Sequence, residues 1–200
     1  MSIAPPLFSP PPPAIPDEAI FRLEVTQYHA MVQAGILTED DPVELLEGWL
    51  VAKMPKNPAH RIATHQVLQA LVRVLPENWY ADSQEPITTE DSEPEPDVMV
   101  VRGHTRDYAD RHPGPTDVAL VVEVADTTLR RDRTLKQRLY ARAGIPEYWI
   151  VNLVDRCVEV YTNPAAAGYQ HQQSCGPDEA VPVVLDGHEA GRVPVPSLLP

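Results

Sequence analysis

The chain has 200 residues, of which 43% are hydrophobic and 22% charged, enough for one buried core plus tails. Its formal net charge of −13, with 16 basic side chains against 29 acidic ones, argues against a protein that grips nucleic acid over a broadly basic surface. No apolar run in the sequence approaches the ~20 residues that span a bilayer, so a soluble, cytoplasmic protein without membrane partners is expected.

The first sixteen residues hold seven of the 23 prolines, including the run Pro10 to Pro13. Such a segment cannot build a ladder of backbone hydrogen bonds, and it has no basic start before an apolar stretch, so it does not read as a signal peptide. Residues 1–19 are therefore expected to form a disordered, solvated tail and residues 20–200 the folded domain. Thr26 to Ala34 reads as a short helix capped by Thr26 and closed by Gly35. Val43 to Lys53 carries a hairpin signature around Glu47-Gly48. Asn57 and Pro58 open a second helix that runs to about Leu75. Strand character follows at Trp79 to Ile87, Asp97 to Val101 and Asp117 to Val124, the last apolar throughout except at Glu123. Leu129 to Ala143 predicts a third helix closed by Gly144. Glu147 to Leu153 and Cys157 to Thr162 predict a hairpin, with shorter strands at Gly168 to Gln173 and Ala180 to Leu185. This order implies an α/β (α+β) fold, a mixed sheet with helices packed on it.

The acids inside apolar strands carry the chemistry. A buried carboxylate is costly unless it is paired, hydrogen-bonded or bound to metal. Asp97 opens its strand behind Pro94-Glu95-Pro96, and Glu123 interrupts a run of valines. Together they supply the hard oxygen ligands that Mg²⁺ and Mn²⁺ favour. The competing reading pairs Glu123 with a core arginine and makes Asp97 a turn cap. Asp132, Lys136 and Tyr140 fall four residues apart and so share a helix face. Lys136 could then orient or help deprotonate a water, offset charge on a phosphate, or simply pair with Asp132. The six basic residues Arg130, Arg131, Arg133, Lys136, Arg138 and Arg142 lie within thirteen positions and could form one local positive surface. Cys157 and Cys175 show no metal-ligand spacing and read as ordinary thiols. Tyr148 and Trp149 read as core rather than as a base-stacking platform.

Several segments taken together resemble the Uma2-type (formerly DUF820) members of the PD-(D/E)XK nuclease superfamily. They are Val43-Glu44-Leu45-Leu46-Glu47-Gly48, the helix-leading His60, Pro96-Asp97-Val98-Met99-Val100-Val101 and Val121-Val122-Glu123-Val124. The longest runs from Asp132 through Lys136, Tyr140 and Gly144 to Glu147-Tyr148-Trp149-Ile150-Val151-Asn152. The resemblance covers roughly residues 22–185. It implies a restriction-endonuclease-like central mixed sheet flanked by helices, with Asp97, Glu123 and Glu44 as acids that bind Mg²⁺ or Mn²⁺. Glu47 is the alternative to Glu44. In the standard pattern the lysine stands two residues after the second acid, where this chain has Ala125; the resemblance makes Lys136 the displaced lysine. His60 matches a histidine of the family that either contacts substrate or caps and packs.

The resemblance implies an endonuclease that hydrolyses DNA phosphodiester bonds through metal-activated water and acts as a homodimer. A second function is carried beside it because of the net charge: a non-catalytic nucleic-acid-binding or assembly module on a nuclease scaffold. RNA and branched nucleic acids stay open as substrates.

Overall fold

A computed structural model of the chain describes residues 20–38 and 40–200, so the tail expected over residues 1–19 lies outside the described residues. Six strands form the central sheet in the order β3 (Trp79–Asp82), β4 (Val98–Arg102), β5 (Val118–Ala125), β6 (Glu147–Asn152), β7 (Cys157–Ala165) and β8 (Gly168–Cys175). Every neighbouring pair is antiparallel except β5 and β6, which run parallel through a helical crossover. The expected mixed sheet is present. Its edge strand β3 ends at Asp82 rather than Ile87, and Asp97 stands one residue ahead of β4.

Alternation along the strands sends side chains into two cores. Val98, Val100, Leu120, Val122, Val124 and Trp149 pack on one face against helix α2 (Pro58–Val72) and the separate hairpin β9 (Ala180–Leu185) and β10 (His188–Pro194). Met99, Val101, Val121, Tyr148 and Ile150 pack on the other against Leu139 and Tyr140 of α4 (Gln137–Ala143). Glu123 shares the parity of Val121, so its carboxylate faces the α4 side.

Helix α1 (Val25–Gln33) is capped by Glu24 rather than Thr26, through a reciprocal box with Gln27, whose side chain can reach the Glu24 amide at 2.9 Å. Helix α2 starts as expected: the Asn57 side chain accepts from the His60 amide at 2.9 Å with Pro58 in the first turn. It ends at Val72, earlier than the apolar spacing suggested.

The third predicted helix is not uniform. It consists of α3 (Leu129–Arg131), a π-helical segment (Asp132–Lys136) and α4, closed by Gly144 at φ +83°. In the π segment the Gln137 amide reaches the Asp132 carbonyl five residues back. No helix among the described residues is long and apolar enough to cross a membrane.

The hairpin of β1 (Val43–Leu46) and β2 (Trp49–Ala52) turns on Glu47 at φ 49° and Gly48 at φ 79°, the left-handed pair a two-residue turn requires. A Cβ on Gly48 would meet Arg22 Cβ at 2.6 Å and the Leu23 carbonyl at 3.1 Å. Gly48→Ala is accordingly expected to lose about 1–3 kcal/mol of stability, read by thermal melting. Melting unchanged from wild type would show that the turn relaxes freely.

Candidate active site

Register places the two strand acids together. Val98 pairs with Val122 across β4 and β5, so Asp97 is the next position along, beside Glu123. The amide of Val124 donates to Asp97 Oδ2 at 2.9 Å, which fixes the carboxylate at the end of both strands. The hairpin brings Glu44 in from β1, where Oε2 accepts from the Glu95 amide at 3.2 Å. From the π segment, Lys136 extends its ammonium between two acids, 2.7 Å from Glu44 Oε2 and 3.3 Å from Glu123 Oε1. All four predicted residues line one cavity of about 70 Å³.

The electrostatics follow from burial. Lys136 is 2% exposed. Burial alone would lower its pKa, but Glu123 and Glu44 outweigh that and raise it above the ordinary lysine value. Lys136 is therefore held as a cation by its two acidic partners. Glu123 lies the other way: burial raises its pKa to about 7 against the pull of Lys136, with Asp97, Asp132 and Glu44 adding to the rise. The Tyr140 hydroxyl donates to Glu123 Oε1 at 2.8 Å and so contributes to its solvation. Burial would also raise Asp97, yet the His60 hydrogen bond, the charges of His60 and Lys56 and the Val124 amide hold it below the ordinary carboxylate value.

Three further residues belong to the cavity. His60 places Nε2 3.1 Å from Asp97 Oδ2, with Nδ1 3.3 Å from the Thr64 hydroxyl. Its position in the first turn of α2 was legible, but its contact was not. Lys56 sits just ahead of the Asn57 cap, with Nζ 3.0 Å from Asp97 Oδ1, and no sequence signal marked it. Asp132 is buried beside the cavity, accepts from the Thr128 hydroxyl at 2.6 Å, and is pushed up to about 6 by burial. Asp132 and Lys136 line the same cavity and Tyr140 donates to Glu123 there, although the helix between them is irregular.

Two expectations are corrected. Glu47 does not substitute for Glu44: its carboxylate is held by Arg138 at 3.1 and 2.7 Å, and its amide donates to Ser92 Oγ. The basic cluster is not a free positive surface. Lys136 is buried in the cavity and Arg131 lies 3.9 Å from Glu44. Arg133 holds Glu159, Arg138 holds Glu47, and Arg142 pairs with Asp91. These ion pairs neutralise most of the charge that the sequence placed within thirteen positions.

Among the described residues, no three His, Cys, Asp or Glu side chains converge on a common point as they stand. The carboxylates are instead held by Lys136 and Lys56 as ion pairs. The donor chemistry nonetheless fits a hard divalent cation, since Asp97 and Glu123 offer carboxylate oxygens into one cavity where the charges opposing them are lysine ammoniums.

The Uma2 family model, described as "Putative restriction endonuclease", matches residues 25–190. Among solved structures, the chain is similar to "a putative nuclease belonging to DUF820 from Anabaena variabilis ATCC 29413". The TM-score is 0.64 at 17% identity, over 88% of this chain and 97% of that one, a likeness of fold. No curated protein matches the chain.

Proposed function

The chain belongs to the Uma2 family, and from that premise we propose that it is a divalent-metal-dependent endonuclease that hydrolyses DNA phosphodiester bonds. The observation that carries the reading is the convergence of Asp97, Glu123, Glu44 and Lys136, drawn from four separate elements, on a single cavity.

Asp97 and Glu123 would hold Mg²⁺ or Mn²⁺, with Glu44 as the third acid of the set. Bound there, the ion would lower the pKa of a water and offset charge on the phosphate. The protein's own part is positioning. The Val124 amide and His60 fix the Asp97 carboxylate, and Tyr140 fixes Glu123. Glu44 anchors Lys136, which presents a permanent positive charge toward a phosphate oxygen and the charge that builds on it during displacement. A homodimer, one copy for each strand of a duplex, belongs to the same proposal; light scattering checks it.

The direct test is supercoiled plasmid incubated with purified protein. Nicking that requires Mn²⁺ or Mg²⁺ and stops in EDTA is expected. No nicking in either metal would favour the assembly-module reading, which the ion-paired basic cluster and the net charge of −13 support.

A further inference from the structure

Two ammonium groups oppose Asp97, Glu123 and Glu44, and they are built differently. Lys136 is 2% exposed and touches two acids from a helix packed into the core, so it has nowhere to go. Lys56 has a side chain 39% exposed and a single acidic partner, Asp97, at 3.0 Å. It lies on the segment between β2 and α2. The end of that segment is pinned, because Asn57 caps α2 and its side-chain amide also donates to Asp126 at 2.6 Å. The Lys56 backbone is therefore tethered beside the site while its four-carbon stem is free to swing.

The two oxygens of Asp97 divide in the same way. Oδ2 takes the Val124 amide and faces His60, both fixed in the fold. Among the described residues, Oδ1 takes only Lys56. Oδ1 is thus the atom a divalent cation would claim, and Lys56 is the group it would displace.

We propose that Lys56 is an exchangeable counter-ion: it occupies Asp97 Oδ1 until a divalent cation takes that oxygen, then turns outward and meets a phosphate of the substrate. This rests on the metal-dependent reading above and adds a coupling to it. Before the cation arrives, Lys56 is neutralised by Asp97 and offers little to a polyanion. Afterwards its charge is released at the rim of the cavity. Cation and nucleic acid would then each raise the other's affinity through one side chain, as linkage requires.

Mn²⁺ titration by calorimetry without nucleic acid, on wild type, Lys56→Met and Lys53→Met, tests the first half. Lys53 is a nearby cation, but it is bound through both Nζ contacts at 2.8 Å to Glu95 rather than to Asp97. Lys56→Met is expected to bind Mn²⁺ about two- to fivefold more tightly, the range for loss of a partly exposed competing ion pair, and Lys53→Met to shift less. The second half uses anisotropy of a labelled 20-base-pair duplex in EDTA and in Ca²⁺. Wild type should tighten on adding Ca²⁺, and Lys56→Met should tighten less. Equal Mn²⁺ affinity in wild type and Lys56→Met, or equal gains in both variants, overturns the exchange while leaving the metal-dependent reading in place. Absence of Mn²⁺ binding in wild type overturns both.

Discussion

An Asp97→Asn protein is expected to nick supercoiled plasmid about a thousandfold more slowly than wild type at saturating Mn²⁺, since losing metal-based stabilisation of the transition state costs several kcal/mol. The substitution preserves shape, and an amide oxygen can still accept from the Val124 amide that anchors the position. What it removes is charge, and with it a hard ligand. Stability should respond separately. Asp97 is held below its ordinary value of 3.8, so its ionised form stabilises the fold above that pH and the contribution fades as pH falls through the lowered pKa. Asp97→Asn should therefore melt lower than wild type near pH 7 and converge with it in acid, whereas the loss of nicking should persist at every pH where wild type is active. Glu47→Gln provides the contrast: Glu47 pairs with Arg138 away from the cavity, and that variant should nick as wild type does. Wild-type rates in Asp97→Asn would remove the acid from the reaction.

Glu123→Gln is expected to do the opposite to stability. Burial raises Glu123 from 4.5 to about 7, so the folded protein prefers its protonated form. That preference stabilises fully below about pH 4.5 and is lost as pH rises through 7. Ionised Glu123 therefore weakens the metal-free protein above that pH. Glutamine carries no such cost, so Glu123→Gln in EDTA should unfold at higher denaturant than wild type at pH 8, and the difference should vanish near pH 5. Glu147, also raised by burial, titrates in the same region but is common to both proteins and cancels, whereas Asp132, which repels ionised Glu123, is relieved in the variant and adds in the same direction. A less stable Glu123→Gln at pH 8 would mean that the Lys136 pair outweighs burial. Stability given up by an acid that chemistry requires is a familiar feature of active sites.

How far the site could be read from sequence depended on where each residue finds its partner. Asp97 and Glu123 announced themselves because each breaks an apolar strand, a conflict visible one strand at a time. Glu44 and Glu47 were inseparable by spacing. What separates them is Arg138, ninety-one positions away, which takes Glu47 and leaves Glu44 to Lys136. The basic cluster misled for the same reason: its acids lie on β1, on the Glu47 turn, on β7 and at the bend by Asp91, distant in the chain. Strand β10 gave no signal because Gly191 and Pro194 interrupt its alternation, and it pairs only with β9, outside the main sheet, where proline is tolerated. The six-stranded core was legible because valine runs and alternating faces are local properties.

The π segment leaves this chain with two incompatible optima. A chain one residue shorter, lacking the exposed Thr134, could wind an unbroken α-helix from Leu129 to Ala143 with better hydrogen-bond geometry. A π turn absorbs one extra residue, so that deletion would leave the helix on either side in phase and close up the spacing inside the segment. Asp132 and Lys136, which both line the cavity from positions four apart, would then stand three apart and lose their present offset. A sturdier helix and the present offset of Asp132 and Lys136 therefore call for different numbers of residues at this point, and in this protein the longer count is the one present.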